Sequence, residues 1–140
     1  MAEVNHWKLM MITVTAGIII KERKVLVAQR KPTSRRGLLW EFPGGKVKAE
    51  EDPRQCLQRE LEEELGIEVD VGEQFEVVTH SYGDTAIMLL SYLCRLVRGT
   101  PRAIDCHRAR WVTTRGLRRL PMSEADIPIR DALCAREDLL

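Results

Sequence analysis

The sequence has no excess of charge of either sign. Its 140 residues contain 22 lysines and arginines against 21 aspartates and glutamates, a formal net charge of +1. No overall electrostatic field therefore attracts nucleic acid or an anionic membrane, and we expect neither as a partner. Any charged ligand must be bound by a local site.

Closely spaced cysteines are also missing. The four cysteines form no CxxC pair and lie far apart, at Cys56, Cys94, Cys106 and Cys134. This spacing favours reduced thiols in a cytoplasmic protein over a disulfide framework, because disulfides persist only in oxidising compartments.

No apolar run is long enough to span a bilayer. The run at residues 9–20 is interrupted by Thr13, Thr15 and Gly17, and it is shorter than the roughly 20 residues that a membrane helix needs. Lys8 precedes it as in a signal peptide, but charged residues follow it in place of a small-residue cleavage site. A buried strand is the better interpretation.

The sequence contains no internal repeat, low-complexity tract or linker, and its length is typical of one domain. Five segments have the apolar and β-branched residues of strands: 10–20, 25–30, 69–81, 87–97 and 110–113. The nearly continuous apolar residues of 87–97 place that strand centrally in the sheet. We predict a single mixed α/β domain over residues 1–140.

Helix boundaries are indicated by capping residues. Asp52 followed by Pro53 predicts a helix start, and Gly66 predicts its end. Residues 114–120 predict a brief helix. Residues 123–126 resemble a capping box that opens a last helix toward the C-terminus.

The helix that starts at Asp52 carries a crowded acidic stripe. Glu60, Glu63 and Glu64 lie at the edge of the face that buries Leu57, Leu61 and Leu65. The plain interpretation is a solvated acidic surface. Like charges at i, i+3 and i, i+4 each cost a few tenths of a kcal/mol, however, and the helix dipole disfavours anions in the last turns by ~0.3 to 1 kcal/mol.

One cation near this stripe, Arg59, can offset the repulsion by reaching Glu62 or Glu63 along the helix. The remaining conflict with local propensity is typical of a functional site. Converging carboxylates suit Mg²⁺, with Mn²⁺ as an alternative, because hard cations prefer oxygen ligands.

Residues 45–67 resemble the signature of the Nudix hydrolases, G-x5-E-x7-R-E-U-x-E-E-x-G-U, in which U is aliphatic. Every defined position is matched, by Gly45, Glu51, Arg59, Glu60, Leu61, Glu63, Glu64, Gly66 and Ile67. The resemblance implies the Nudix fold, an α/β/α sandwich around a mixed β-sheet. It also implies magnesium-dependent cleavage of nucleoside diphosphate linkages.

The flanking segments resemble the MutT branch of this family. They are residues 27–30, 39–46 and 125–129, and the likeness is greatest to enzymes that act on cytidine triphosphates and oxidised deoxynucleotides. The resemblance implies attack of water on the β-phosphorus of a small-molecule nucleotide, with a nucleoside monophosphate and pyrophosphate as products. It is compatible with a cytoplasmic monomer or homodimer.

The resemblance also implies roles in the metal site. Glu60 and Glu64 would be the principal ligands, completed by Glu63 and the Gly44 carbonyl, and Glu60 would activate the water. Gly45, Glu51 and Arg59 would orient the loop and the carboxylates, although Arg59 has an ordinary surface ion pair as its alternative. Asp105 stands where the branch carries a glutamate and is a ligand, a base or a plain loop aspartate, whereas His107 is interpreted as a surface histidine.

Five residues are candidates for nucleotide contact: Arg30, Phe42, Lys46, Tyr82 and Asp126. Structural alternatives exist for four of them, namely an ion pair for Arg30, core packing for Phe42, core or edge packing for Tyr82 (as for His80), and helix capping for Asp126. Because an ionised aspartate presents only acceptors, Asp126 argues against strict 8-oxo-dGTP specificity. Arg35, Arg36, Lys46 and Lys48 are expected to be solvated loop charges, and Lys46 is the best candidate among them for phosphate contact.

Two other hypotheses stay open. The chain is a Nudix hydrolase of another diphosphate, such as ADP-ribose or a dinucleoside polyphosphate, or it is a catalytically silent nucleotide-binding module. Tyr82 and Gly83 stand where the ADP-ribose branch usually has a proline, and no carboxylate of the signature is missing. Both observations favour the triphosphate hypothesis.

Overall fold

A computed structural model describes residues 10–140. Lys8 and Leu9, on which the signal-peptide alternative depended, lie outside these residues. Within them, no helix combines the length and the hydropathy needed to cross a membrane.

The elements follow the predicted order. Along the described residues they are β1 (Met10–Lys21), β2 (Lys24–Gln29), β3 (Trp40–Glu41), α1 (Pro53–Leu65), β4 (Glu68–Tyr82), β5 (Thr85–Arg98), β6 (Arg108–Val112), α2 (Thr114–Arg119), a 3₁₀ turn (Glu124–Asp126) and α3 (Ile127–Cys134).

The strands form one mixed sheet in the order β3-β2-β1-β5-β4, with β6 paired to β2. β1 and β5 are parallel, from the pair Met10 and Thr85 to the pair Ile19 and Cys94. The other pairings are antiparallel. β5 lies between β1 and β4, so its predicted central position is confirmed.

Helix α1 covers one face of this sheet. Its leucines Leu57, Leu61 and Leu65 are fully buried, and they share a core cluster with Ile19 of β1 and Leu26 of β2. The predicted apolar stripe is therefore the contact surface between α1 and the sheet.

Helices α2 and α3 cover the opposite face. Leu117, Ile129 and Leu133 pack in a second cluster with Ile18 of β1 and Val27 of β2. Ile18 belongs to this cluster and the adjacent Ile19 to the other because successive strand residues point to opposite faces. The result is the predicted α/β/α sandwich.

Both ends of α1 are set by local residues, as predicted. The Asp52 side chain accepts a hydrogen bond from the Arg54 N–H at 3.0 Å, and the Gln55 side chain accepts one from the Asp52 N–H at 3.4 Å. Pro53 occupies the first turn, and Gly66 ends the helix in the left-handed conformation at φ 68°.

The predicted capping box at residues 123–126 is wrong. Residues 124–126 form a 3₁₀ turn, the Ser123 side chain makes no capping hydrogen bond, and α3 begins only at Ile127. The reason is tertiary, because the Ser123 N–H donates to the Trp40 carbonyl at 2.8 Å and ties the segment to β3. α3 also ends early, at Cys134.

Candidate active site

A glycine loop at residues 43–47 runs along β1 and carries the start of the signature. Its backbone is joined to the strand by hydrogen bonds from the Gly17 N–H to the Pro43 carbonyl at 2.7 Å, and from the Val47 N–H to the Thr13 carbonyl at 3.0 Å. The loop therefore lies at a fixed distance from the sheet.

Close approach explains the two glycines in this loop. A Cβ at Gly44 would lie 2.0 Å from the Thr15 carbonyl oxygen, and a Cβ at Gly45 would lie 2.3 Å from the carboxyl carbon of Glu60. A side chain at Gly44 would collide with the backbone of β1, and one at Gly45 would displace the Glu60 carboxylate. The loop is thus held between β1 on one side and the acidic residue of α1 on the other.

Arg59 connects this loop to the acidic stripe. Its guanidinium binds Glu51 in a bidentate ion pair, with Nε to Oε2 at 2.7 Å and Nη2 to Oε1 at 3.0 Å, and also donates from Nη2 to the Lys46 carbonyl at 3.3 Å. Its Nη1 contacts Glu60 at 2.8 Å and Glu63 at 3.1 Å. The expected contact along the helix is therefore made with Glu63. The hydrogen bonds that Glu51 accepts from Arg59, and next from the Lys48 N–H, lower the pKa of Glu51 to about 2.

Glu60 and Glu64 form a close carboxyl pair one helical turn apart. Burial, a hydrogen bond with Glu60 and its negative charge together raise the pKa of Glu64 well above its usual range. Bringing two carboxylates together in a partly desolvated place is unfavourable without a proton or a cation between them. A divalent cation with oxygen ligands fits this donor set.

The third carboxylate of the stripe is placed differently. The Glu63 side chain is 57% exposed, and its carboxylate pairs with Arg59. Within residues 10–140, no three acidic, histidine or cysteine side chains converge closely enough to form a metal site by themselves. A cation here would therefore need backbone oxygen, substrate oxygen or water in addition to Glu60 and Glu64.

A cleft of about 620 Å³ opens beside this carboxyl pair. Its lining includes Glu64, Gly44 and Gly45 of the loop, and residues of β1 and β5. All five predicted nucleotide contacts also line it: Arg30, Phe42, Lys46, Tyr82 and Asp126. Glu60 and Glu63 do not line it. The volume lies within the roughly 300–1,000 Å³ range of small-molecule sites.

Phe42 and Asp126 form the buried wall of the cleft. The Phe42 N–H donates to Asp126 Oδ2 at 2.9 Å, and the two residues are 3% and 6% exposed. Phe42 belongs to the core, which is the structural alternative considered for it, and it also lines the cleft. Its contact with a nucleobase stays a prediction. Asp126 makes no capping bond, and burial, followed by the charge of Glu41, raises its pKa well above the usual range.

Tyr82 and Arg36 close the cleft on another side. The Tyr82 hydroxyl accepts a hydrogen bond from the Ala125 N–H at 3.0 Å, and the Arg36 guanidinium lies 4.0 Å from the centre of the Tyr82 ring. Arg36 is exposed, as predicted for a solvated loop charge, and it also forms a cation–π contact with this ring. His80 packs edge-on against the same ring, with centroids 4.5 Å apart.

Comparison with known proteins identifies the family. A model of the NUDIX domain matches residues 11–133. The chain belongs to the Nudix hydrolase family. The resemblance inferred from the signature is confirmed, and so is the predicted fold class.

Several relatives of this Nudix hydrolase have assigned activities or solved structures. The CTP pyrophosphohydrolase of Escherichia coli (strain K12) is 39% identical over 125 residues, which cover 89% of this chain and 93% of that protein. The 8-oxo-dGTP diphosphatase of Proteus vulgaris is 43% identical over 81 residues, or 57% of this chain and 72% of that protein. The solution structure of the E. coli ORF135 protein aligns with a TM-score of 0.78 and 38% identity over 92% of each chain.

Two predicted residues of this Nudix hydrolase have partners that the sequence did not indicate. Arg30 is ion-paired with Glu41 at 3.2 Å, which is the structural alternative considered for it, and it also lines the cleft. Asp105 lines the cleft, is 63% exposed and pairs with Lys31. The sequence did not indicate Glu41 or Lys31 as partners, because the two residues of each ion pair lie in different segments that the fold brings together. His107 is exposed, as predicted.

The cysteines of the Nudix hydrolase are all unpaired, in agreement with the expected reduced thiols. Cys56 is fully buried under the glycine loop, where its Sγ lies 3.4 Å from the Lys46 carbonyl oxygen and 3.7 Å from Arg59 Nη2. The sequence carries no signal for this contact with the loop, since the signature leaves position 56 undefined.

Proposed function

We propose that this Nudix hydrolase is a magnesium-dependent nucleoside triphosphate pyrophosphohydrolase that acts in the cytoplasm and releases a nucleoside monophosphate and pyrophosphate. One observation supports this most directly. A single cleft joins Glu64 and the glycine loop to the buried Phe42 and Asp126, so that phosphates and a nucleobase have separate places within it.

The carboxyl pair and the loop would hold the cation. In our proposal Mg²⁺, or Mn²⁺ in its place, is bound by Glu60, Glu64 and the Gly44 carbonyl, with Glu63 as a further ligand. When bound, the ion supplies positive charge that stabilises the phosphoryl oxygens and the leaving group. The all-oxygen donor set and the raised pKa of Glu64 support this choice of ion.

The protein's own side chains have distinct tasks in this reaction. Glu60 accepts the proton of the water that attacks the β-phosphorus, while Glu51 and Arg59 keep the loop and the carboxylates in place. Arg59 is suited to this because it contacts Glu51, Glu60 and Glu63 at the same time. Lys46, an exposed residue of the loop, contacts a phosphate.

Asp105 is the second acidic residue of the proposed site. Its backbone N–H donates to the Glu64 carbonyl at 3.2 Å, which holds the residue beside α1. Its side chain pairs with Lys31 and lines the cleft. We propose that Asp105 assists with proton transfer or cation binding once substrate phosphates draw Lys31 away.

The base is proposed to bind between Phe42, Tyr82 and Asp126, with Arg30 at the rim. Asp126 Oδ2 is occupied by the Phe42 N–H. Burial raises the pKa of this carboxyl, and a carboxyl that holds a proton can donate to an acceptor on the base edge. A cytidine triphosphate is the preferred candidate, since the match to the CTP pyrophosphohydrolase spans 89% of this chain and 93% of that protein at 39% identity.

A substrate panel tests this proposal. Purified protein with Mg²⁺ is incubated with CTP, dCTP, the other canonical triphosphates, 8-oxo-dGTP, ADP-ribose and diadenosine polyphosphates, and the released monophosphate and pyrophosphate are measured. We expect turnover of triphosphates with pyrophosphate as product, and highest kcat/KM for cytidine compounds. Turnover of ADP-ribose alone would contradict the proposal, and no turnover of any compound would contradict an enzymatic role.

A further inference from the structure

A buried hydroxyl of β1 lies under the glycine loop. The Thr15 side chain is 1% exposed, and its Oγ1 donates to the Gly45 carbonyl at 3.2 Å. The Thr15 backbone N–H donates to the same carbonyl at 2.8 Å. Two donors from one residue therefore bind a single oxygen of the loop.

Cys56 of α1 completes this contact from the helix side. Its Sγ lies 3.5 Å from Thr15 Oγ1 and 3.6 Å from the Gly45 carbonyl oxygen. The strand, the loop and the helix thus meet at one buried point. A buried hydroxyl that has lost contact with water retains its hydrogen bond because leaving it unpaired is unfavourable.

This point lies directly behind the residues proposed to bind the cation. The Cα of Gly44 faces the Thr15 carbonyl closely enough that a Cβ would lie 2.0 Å from that oxygen, and Gly45 meets the Glu60 carboxyl with equally little space. A tilt of the Gly45–Lys46 peptide, which carries the carbonyl that Thr15 binds, would therefore move the loop relative to Glu60. Glu51 and Arg59 restrain the loop on its other side.

We infer that Thr15, with Cys56, is a positioning residue that sets the glycine loop against Glu60 and so prepares the cation site. This inference rests on the proposed function. Thr15 is among the residues that line the cleft but is only 1% exposed, and its proposed effect on the site passes through the Gly45 carbonyl. Residues that orient ligands in this indirect way typically change metal affinity or activity by about 10–100-fold when they are substituted.

The test compares three variants of β1. Thr15→Val removes the hydroxyl and keeps the shape, Thr15→Ser keeps the hydroxyl, and Thr13→Val makes the same chemical change on the same strand. Thr13 is a matched control because its carbonyl also binds the loop, whereas its hydroxyl makes no hydrogen bond within residues 10–140. Mn²⁺ binding to the free protein is measured by electron paramagnetic resonance, and kcat and KM are measured at saturating Mg²⁺.

We expect Thr15→Val to raise the Kd for Mn²⁺ roughly tenfold and to lower kcat roughly tenfold. KM should change by less than about twofold. Thr15→Ser should restore both values to within about threefold, and Thr13→Val should match the wild type. Wild-type Mn²⁺ binding in Thr15→Val would overturn the inference. So would an equal defect in Thr15→Ser, since the methyl packing and not the hydroxyl would then matter.

A second pair of variants covers the case in which Thr15→Val does not fold. Cys56→Ala should weaken Mn²⁺ binding, while Cys94→Ala, which changes a buried cysteine of β5, should not. Unchanged binding in Cys56→Ala would then overturn the inference. A wild type that binds Mn²⁺ but hydrolyses no triphosphate would contradict the proposed function only, because the Mn²⁺ comparison still decides the role of Thr15.

Discussion

Glu60 has more contacts with the rest of the site than the other two carboxylates of its stripe. It touches Gly45 of the loop, is ion-paired with Arg59 and shares a hydrogen bond with Glu64. Glu60 therefore contacts both the loop and other residues of the helix. Its charge should therefore matter to the chemistry far more than to the fold.

Replacing Glu60 with glutamine should lower kcat by at least about 100-fold, because it removes a proposed ligand and base without changing size. Pyrophosphate release is the measurement. Glu62→Gln is the matched control, since Glu62 is exposed on the same helix and its side chain has no ion pair within the described residues. Wild-type activity in Glu60→Gln would show that the metal site is assigned wrongly.

Asp126 should make stability depend on pH in an unusual direction. Its pKa is raised in the folded protein, so its contribution to stability is complete below the unfolded pKa of about 3.9 and is lost as pH rises through the folded value. Asp126→Asn keeps an acceptor for the Phe42 N–H and removes this loss. The variant should therefore gain stability relative to the wild type as pH rises from 4 to 8.

Urea unfolding over this pH range measures the difference for Asp126→Asn. Asp84→Asn serves as its control because Asp84 lies exposed in the turn between β4 and β5. Other titrating groups affect wild type and variant alike and cancel in the difference. A stability difference that does not change with pH would disprove the raised pKa of Asp126.

At the scale of elements, the end of α1 organises the segment that carries Asp105. The Arg102 N–H donates to the Leu65 carbonyl at 3.0 Å, and the Ile104 and Asp105 N–H groups donate to the Glu64 carbonyl at 3.0 and 3.2 Å. Gly66 permits this docking by ending the helix in the left-handed conformation. A helix end thus positions a loop of the cleft.

Gly66→Ala should destabilise the protein more than Gly83→Ala does. Both glycines have φ near +65°, so both substitutions incur roughly 1–2 kcal/mol of left-handed strain. At Gly66 a Cβ would also lie 3.1 Å from Arg102 Nη2 and 3.2 Å from Ile104 Cδ1, whereas nothing lies within 4 Å at Gly83. Urea unfolding measures both, and equal losses would mean that the segment after β5 does not pack on Gly66.

At the scale of the whole molecule, the cleft is lined by residues from both helical layers and from the sheet between them. α1 supplies Glu64 to its lining, and the segment before α3 supplies Asp126. A ligand that joins residues of both layers should therefore stabilise the entire fold, because it binds only the folded state.

Mg²⁺ at about 100 times its Kd should add about 2.7 kcal/mol of stability and raise Tm by roughly 5–10 °C. Thermal unfolding with Mg²⁺, and again after EDTA removes it, measures the shift, with NaCl of equal ionic strength as the control for screening. Glu60→Gln should lose most of the increase. The same Tm with Mg²⁺ and with EDTA would contradict the cation site.

The sequence by itself determined the features that depend on short-range contacts. Asp52, Pro53 and Gly66 predicted both ends of α1, since caps act within one helical turn. The spacing of Leu57, Leu61 and Leu65 predicted the face that packs on the sheet, and the signature predicted the family. The roles of the signature carboxylates remain predictions.

Only the tertiary structure decided which distant residues meet. The pairs Arg36 with Tyr82, Lys31 with Asp105, Arg30 with Glu41 and Thr15 with Gly45 each join segments that the packing of the two layers brings together. The same cause overrode the capping pattern at Ser123, whose N–H binds Trp40 across the fold. Local patterns cannot encode such contacts, because a hydrogen bond or ion pair is selected by proximity in space and not along the chain.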